Sequence, residues 1–170
     1  MKKADGTEYT REELLAMTPG GLIDLGVCPT CLDRESGGAL YGDDAETLLY
    51  RDKDVECFFV KNPRAEGHAC VSSVAHYHDM TEAPDELTAK MMRFVKRLSI
   101  LIREVYGCVR VYFCSMCDGK NNHYHIQLIP RYPEEERGSK NFVKPRKAYL
   151  YDEKRFSLVK SGLEAFAEEE

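Results

Sequence analysis

The sequence predicts an α+β domain: an antiparallel sheet of about five strands covered by one long amphipathic helix, with a short N-terminal helix and a C-terminal appendage. Two observations predict it. Strand-like segments separated by turn signals lie on both sides of a single helical stretch. That stretch repeats apolar residues at i, i+3, i+4 and i+7 over some twenty positions, as a helix with one buried face must.

Each element has a local cause. Thr10-Arg11-Glu12-Glu13 is a capping-box pattern ahead of Leu14, Leu15 and Met17, so a short helix opens there and Pro19-Gly20-Gly21 ends it. Residues 33–46 are rich in Gly and Asp and read as loop. Residues 47–50 and 55–60 read as two strands, with Asp52-Lys53-Asp54 making a hairpin between them. Residues 69–74 form a third, entered through Gly67. Pro84 sits at a helix start, followed by Asp85 and Glu86, as the helix dipole prefers. Leu87, Met91, Phe94, Val95, Leu98, Leu101, Ile102 and Val105 make its apolar stripe, read as core, and Gly107 is the natural stop. Residues 109–114 are a fourth strand, and residues 123–129 a fifth, stopped by Pro130. A terminal helix is expected near 152–167, spaced by Phe156, Leu158, Val159, Leu163 and Phe166. The expected organisation is an N-terminal helical extension (1–27), a central domain (28–133) and a C-terminal extension (134–170).

Composition narrows the function. The chain has 170 residues, 43% of them hydrophobic and 31% charged, which is ordinary for one soluble globular domain. No apolar run reaches the roughly 18 residues of a membrane helix, and the first residues lead into no apolar leader. A cytoplasmic protein without a membrane partner is expected. The net charge of −5 argues against a sheath on nucleic acid, yet permits a small basic pocket for one phosphate. Seven cysteines, an odd number, favour thiols or a metal site over a disulfide framework.

Three constellations can carry chemistry. In His123-x-His125-x-Gln127, alternate residues of a strand share a face at about 6.6 Å spacing, so two imidazoles and an amide line up opposite Tyr124, Ile126 and Leu128. A chance polar face on an exposed strand would look the same. Cys28-Pro29-Thr30-Cys31 is a zinc knuckle or a redox pair. Cys114 and Cys117 would complete a four-cysteine site, the commoner pattern; His76 or His78 with His123 would complete a site of two cysteines and two histidines. Lys120, Asn121, Asn122 and Arg131 flank the histidine strand as possible phosphate contacts, or are solvated loop residues. The acidic runs at 134–136 and 168–170 read as solvated surface.

Gly67-His68-Ala69-Cys70-Val71, then His76, the long helix, and His123-Tyr124-His125-Ile126-Gln127-Leu128-Ile129-Pro130-Arg131-Tyr132 together resemble the histidine triad (HIT) superfamily over residues 28–132. Gln127 at the third motif position is similar to the branch holding galactose-1-phosphate uridylyltransferase and diadenosine tetraphosphate phosphorylases. The resemblance implies a homodimer acting on a nucleotide or dinucleoside polyphosphate. It makes His125 the nucleophile on the α-phosphorus, giving a covalent nucleotidyl-histidine, with the His123 carbonyl fixing its tautomer. Asn121, Asn122, Lys120 and Gln127 would stabilise phosphoryl charge, with Asn62 and Arg131 as further nucleotide contacts. Glutamine donates a hydrogen bond but delivers no proton, which favours phosphate-type leaving groups. The resemblance also implies a structural zinc on Cys28, Cys31, His76 and His123, leaving His68 and His78 as ordinary surface or structural histidines. Three features differ from the family pattern: the loop at 118–122 is short, Val60 stands where an acidic or amide residue usually holds the ribose, and residues beyond 133 have no counterpart. The alternative is a non-catalytic, zinc-stabilised nucleotide-binding or interaction module.

Overall fold

A computed structural model describes residue 3, residues 6–116, residue 119 and residues 121–169. Three short helices, α1 (Arg11–Leu15), α2 (Pro19–Asp24) and α3 (Pro29–Glu35), precede strands β1 (Leu48–Arg51), β2 (Val55–Phe59) and β3 (Ala69–Ser73). The long helix α4 (Asp85–Tyr106) follows, then β4 (Arg110–Cys114), β5 (His125–Arg131), a 3-10 turn (Ser139–Val143) and helix α5 (Glu153–Glu169). All strand pairs are antiparallel, in the order β1-β2-β3-β5-β4. This is the α+β architecture that the sequence predicts. No helix among the described residues is long and apolar enough to cross a membrane.

The pleat sorts the strands into two faces. Cys57 stands opposite Val71 and Val71 opposite Ile126; Phe59, Ala69 and Leu128 form the next row on the same face. These side chains are buried against Met91, Phe94, Val95, Leu98, Leu101 and Ile102 of α4. Each Val, Leu, Ile, Phe or Met among them contributes roughly 1.5–3 kcal/mol on leaving water. Gly107 ends α4 at φ +70°, a conformation that suits a residue without Cβ, and its N–H donates to the Arg103 carbonyl.

The structure corrects the expected elements in four places. Pro19 starts a helix rather than ending one: Thr18 is the N-cap, its Oγ1 accepting from the Gly21 N–H at 3.2 Å, and Pro occupies the first turn, where no N–H is needed. Residues 29–35 are helical, because Pro29 likewise nucleates α3 directly after Cys28. Pro130 lies inside β5 instead of stopping it. The last β3 partner is Leu128, so Pro130 sits where β5 has β4 alone beside it. Finally, the C-terminal segment is not a peripheral appendage. Phe156, Val159 and Leu163 of α5 join the same core cluster, and a Cβ on Gly162 would lie 2.5 Å from Cδ2 of Leu101, so the helices meet closely there.

Between β5 and α5 the chain runs as a strap across the loop after β2. The Lys147 N–H donates to the Pro63 carbonyl at 2.8 Å, Arg146 Nη1 to the Asn62 carbonyl at 2.7 Å, and Arg64 Nη1 to the Lys144 carbonyl.

Candidate active site and metal centre

Cys28 is the N-cap of α3 and Cys31 lies in its first turn. Three residues apart, the two thiols share one side of the helix start. His76 follows β3, and His123 immediately precedes the pairing of β5. The donor atoms of Cys28, Cys31, His76 and His123 all lie within 4.8 Å of one another. Nδ1 of His123 is 3.5 Å from Sγ of Cys28 and 3.4 Å from Sγ of Cys31, and Nδ1 of His76 is 3.5 Å from Sγ of Cys31. Tetrahedral zinc with bonds of about 2.3 Å to sulfur and 2.0–2.1 Å to nitrogen separates such atoms by about 3.6 Å, so the group can hold that metal ion. Nε2 of His123 is 2.8 Å from the Ser73 carbonyl, which only accepts. Nε2 therefore carries the proton, and the Nδ1 lone pair is turned to the sulfurs. Burial holds His123 below the usual imidazole range, against the opposing pull of the Ser73 hydrogen bond. Burial, then the adjacent Cys28, pushes the Cys31 thiol up to about 12 in the absence of a cation. A divalent ion would reverse that balance.

The four-cysteine pattern that spacing favoured does not form among the described residues. Cys114 lies on β4 opposite Gln127, outside the group of two cysteines and two histidines. Cys117 lies outside the described residues. His78 pairs with Glu82 at 2.8 Å on the surface.

On the face of the sheet away from α4, Arg51, Glu56, Ser72 and His125 form one row across β1, β2, β3 and β5. His125 Nδ1 is 2.7 Å from the His123 carbonyl. The carbonyl holds a proton on Nδ1, so the neutral tautomer it selects is the one with the lone pair on Nε2. Gln127 lies two residues on, its Nε2 at 3.4 Å from His125 Nε2. Behind Gln127 is His68, to which the sequence assigns no chemistry. It is 1% exposed, and its Nδ1 accepts the Arg64 N–H at 3.0 Å. The proton is thus on Nε2, which has no partner of strict hydrogen-bond geometry although the Gln127 side chain is within reach. Burial, then the charges of Arg146 and Arg64, lower His68 to about 4, so it stays neutral near pH 7. The signal was strand parity: His68 precedes Cys70 by two residues, and Cys70 pairs with Gln127.

A cavity of about 560 Å³ opens beside this row, lined by Arg34, Tyr41, Leu48, Phe58, Asn62 and Arg146 among others. Buried Glu56 is held there by Arg34 at 2.9 Å and Arg51 at 2.7 Å. At ~4.8 Å per strand, β2 lies roughly 10 Å from β5.

The expected phosphate contacts distribute unevenly. Asn62 lines the cavity. Asn121 Nδ2 donates to the Gly26 carbonyl at 2.8 Å, and the Asn122 amide closes a turn on Gly119 through both its atoms, at 2.7 and 3.1 Å. Arg131 lies six residues along β5 from His125, roughly 20 Å away, and donates to the Glu135 carbonyl at 3.0 Å; the structure does not bring it to the histidine. Lys120 lies outside the described residues. Ser115, unremarked in the sequence, donates to the His125 carbonyl at 2.8 Å and steadies the strand entry.

A five-stranded antiparallel sheet, one long helix and a His-x-His-x-Gln segment beside a group of two cysteines and two histidines define an α+β protein of the histidine triad type. The model of the HIT domain matches residues 42–134, and the chain belongs to that family. Among curated proteins, an uncharacterized HIT-like protein of Methanocaldococcus jannaschii is 28% identical over 95 residues, spanning 54% of this chain and 73% of its own length. A zinc-bound histidine triad family protein of Mycobacterium smegmatis shares the fold with a TM-score of 0.59 at 19% identity, over 79% of this chain and 92% of that one. The diadenosine triphosphate hydrolase of Plasmodium falciparum does so at 0.55 and 15% identity, over 74% and 82%. Cys28, Cys31 and everything beyond 134 fall outside the family match.

Proposed function

We propose that the protein cleaves or transfers nucleotide phosphoanhydrides through a covalent nucleotidyl-His125 intermediate. The observation that carries this reading is the 2.7 Å contact between His125 Nδ1 and the His123 carbonyl, which orients Nε2 as the nucleophilic nitrogen at one end of a polar row leading from a nucleoside-sized cavity. The Nε2 lone pair forms a bond to the α-phosphorus. The bond from phosphorus to the leaving phosphate oxygen breaks, and its electron pair stays on that oxygen. Gln127 donates a hydrogen bond at the reacting centre without giving up a proton, so the leaving group must be a stable anion. Water, phosphate or a sugar phosphate then breaks the N–P bond. The Gln127 branch, rather than a third motif histidine, is the basis for placing the chain nearer nucleotidyl transfer than phosphoramidate hydrolysis.

Zinc on Cys28, Cys31, His76 and His123 would tie the N-terminal segment to the start of β5. It would act structurally, since the ring of His123 would hold it while the His123 carbonyl serves His125. The ligand is a small nucleotide or dinucleoside polyphosphate. A homodimer is proposed through the open edge of the sheet, where Phe113 on β4 is 55% exposed. Residues 1–27 act as an extension of a central unit, into whose core α5 of the C-terminal segment is packed.

The test is a quench of the metal-loaded protein with a nucleoside triphosphate labelled at the α-phosphorus, followed by peptide mapping. Acid-labile label on His125, absent in His125→Ala, is expected. Its absence with every nucleotide tried favours the second reading, a binding module without turnover. One observation favours that alternative: the Asn121 and Asn122 amides serve the fold and are not free for a phosphate.

A further inference from the structure

Two arginines meet where the strap crosses the loop after β2. Arg64 belongs to the loop between β2 and β3; Arg146 belongs to the strap beyond the family match. Among the described residues neither has a carboxylate partner. Each is steadied by one bond from Nη1 to a backbone carbonyl of the other's segment, Arg64 to Lys144 and Arg146 to Asn62. Arg64 Nε is buried with no hydrogen-bond partner. Burial, and then the charge of Arg64, hold Arg146 below its ordinary value, and both charges act on His68. His68 stands directly behind Gln127, and the Arg64 N–H is bonded to its ring. Arg146 lines the 560 Å³ cavity. Arg64 lines a second one of about 330 Å³ with Lys140, Lys144 and Lys147, in which Glu135 and Glu136 are taken by Lys144 and Lys140.

Holding two like charges together costs energy unless an anion is shared between them. The guanidinium fork suits a phosphate oxygen pair better than an ammonium does. We propose that Arg64 and Arg146 clamp the oligophosphate part of the substrate, the phosphates that depart when His125 takes the nucleotidyl group. This rests on the nucleotidyl-His125 reading and gives it a substrate class: nucleotides with two or more phosphates beyond the attacked one. Chemically the clamp supplies what Gln127 lacks. The departing oxygen takes the electron pair of the broken P–O bond and receives no proton, so two fixed cations stabilise its charge. The strap thereby replaces the short loop before β5, whose Asn121 and Asn122 amides are engaged elsewhere.

The test uses the full-length, metal-loaded chain. Titration calorimetry with inorganic tripolyphosphate is expected to show binding that weakens about tenfold or more in Arg146→Ala, recovers partly in Arg146→Lys, and persists in His125→Ala. Arg146 is exposed, and circular dichroism checks that the variants fold. No tripolyphosphate binding in the wild type, or equal binding in Arg146→Ala, overturns the clamp. Turnover adds a second readout: the ratio of kcat/KM for a nucleoside triphosphate to that for a nucleotide p-nitrophenyl ester falls about tenfold in Arg146→Ala. An unchanged ratio overturns the leaving-group role. Arg146-dependent binding without turnover of either compound supports the clamp and overturns the catalytic reading.

Discussion

The two faces of this sheet are made by the same strands and follow opposite rules. On the α4 side the rows are apolar except for Ser73 opposite Val55, and Phe59, Leu98, Leu128 and Leu163 are at most 1% exposed. On the other side a single row carries Arg51, Glu56, Ser72 and His125, and charged groups of α3, the β2–β3 loop and the strap gather over it. The first face is held by area removed from water, which is non-directional and tolerant of detail. The second is held by oriented bonds, each of which fixes a proton or a charge. Stability and chemistry are thus separated by the thickness of one pleat.

Substitutions break the comparison in order of effect. His125→Ala should lower nucleotide turnover at least about a thousandfold, with a melting temperature unchanged within a degree or so, since the residue holds no core contact. Equal loss of stability would mean that the polar face is structural. Removing the metal ligands comes next. Cys31→Ser, or a strong chelator, should abolish stoichiometric zinc and lower Tm by roughly ten degrees or more, whereas Cys114→Ser should leave one zinc per chain by elemental analysis. Leu163→Ala on α5 should cost roughly 2–5 kcal/mol in urea unfolding while sparing metal content, because it opens a cavity on the apolar face alone.

The smallest effect concerns His68. Its folded value of about 4 lies below the ~6.5 of an unfolded chain. The unfolded state therefore binds the proton more readily, and the stability present at neutral pH is lost as pH falls from about 6.5 toward 4. Between pH 6.5 and 5 this amounts to about 1–2 kcal/mol. His68→Asn should flatten that part of the urea-midpoint profile relative to wild type; an identical pH slope would show that the ring is not held neutral by its surroundings.

The α4 face was legible because its information is periodic. Leu87 to Val105 repeats every three to four residues, and Tyr124, Ile126 and Leu128 every two, so each segment declares its own buried side. The C-terminal helix was legible as a helix, yet nothing in Phe156, Val159 and Leu163 says which surface they meet. That depended on Gly162 leaving room for Leu101. The two prolines misread at 19 and 130 share a cause: proline's missing N–H is harmful or harmless according to what lies opposite, and the sequence does not print the neighbour.

The polar face divides in the same way. By itself the sequence determined the strand that carries His125 and Gln127 on one side, with His123 just ahead of it rather than within it, and the thiol pair three residues apart, because both depend on local geometry. Spacing left His76 and Cys114 both open as partners of those thiols, the family resemblance pointed to His76, and the tertiary structure brings His76 there; tertiary structure alone decided that His68 stands behind Gln127 and that the strap carries Arg146 to the loop of Arg64. These residues are separated by tens of positions along the chain, and their meeting is set by strand order and helix packing. No spacing rule reaches that far, since the energy that selects such contacts is spread over the whole core.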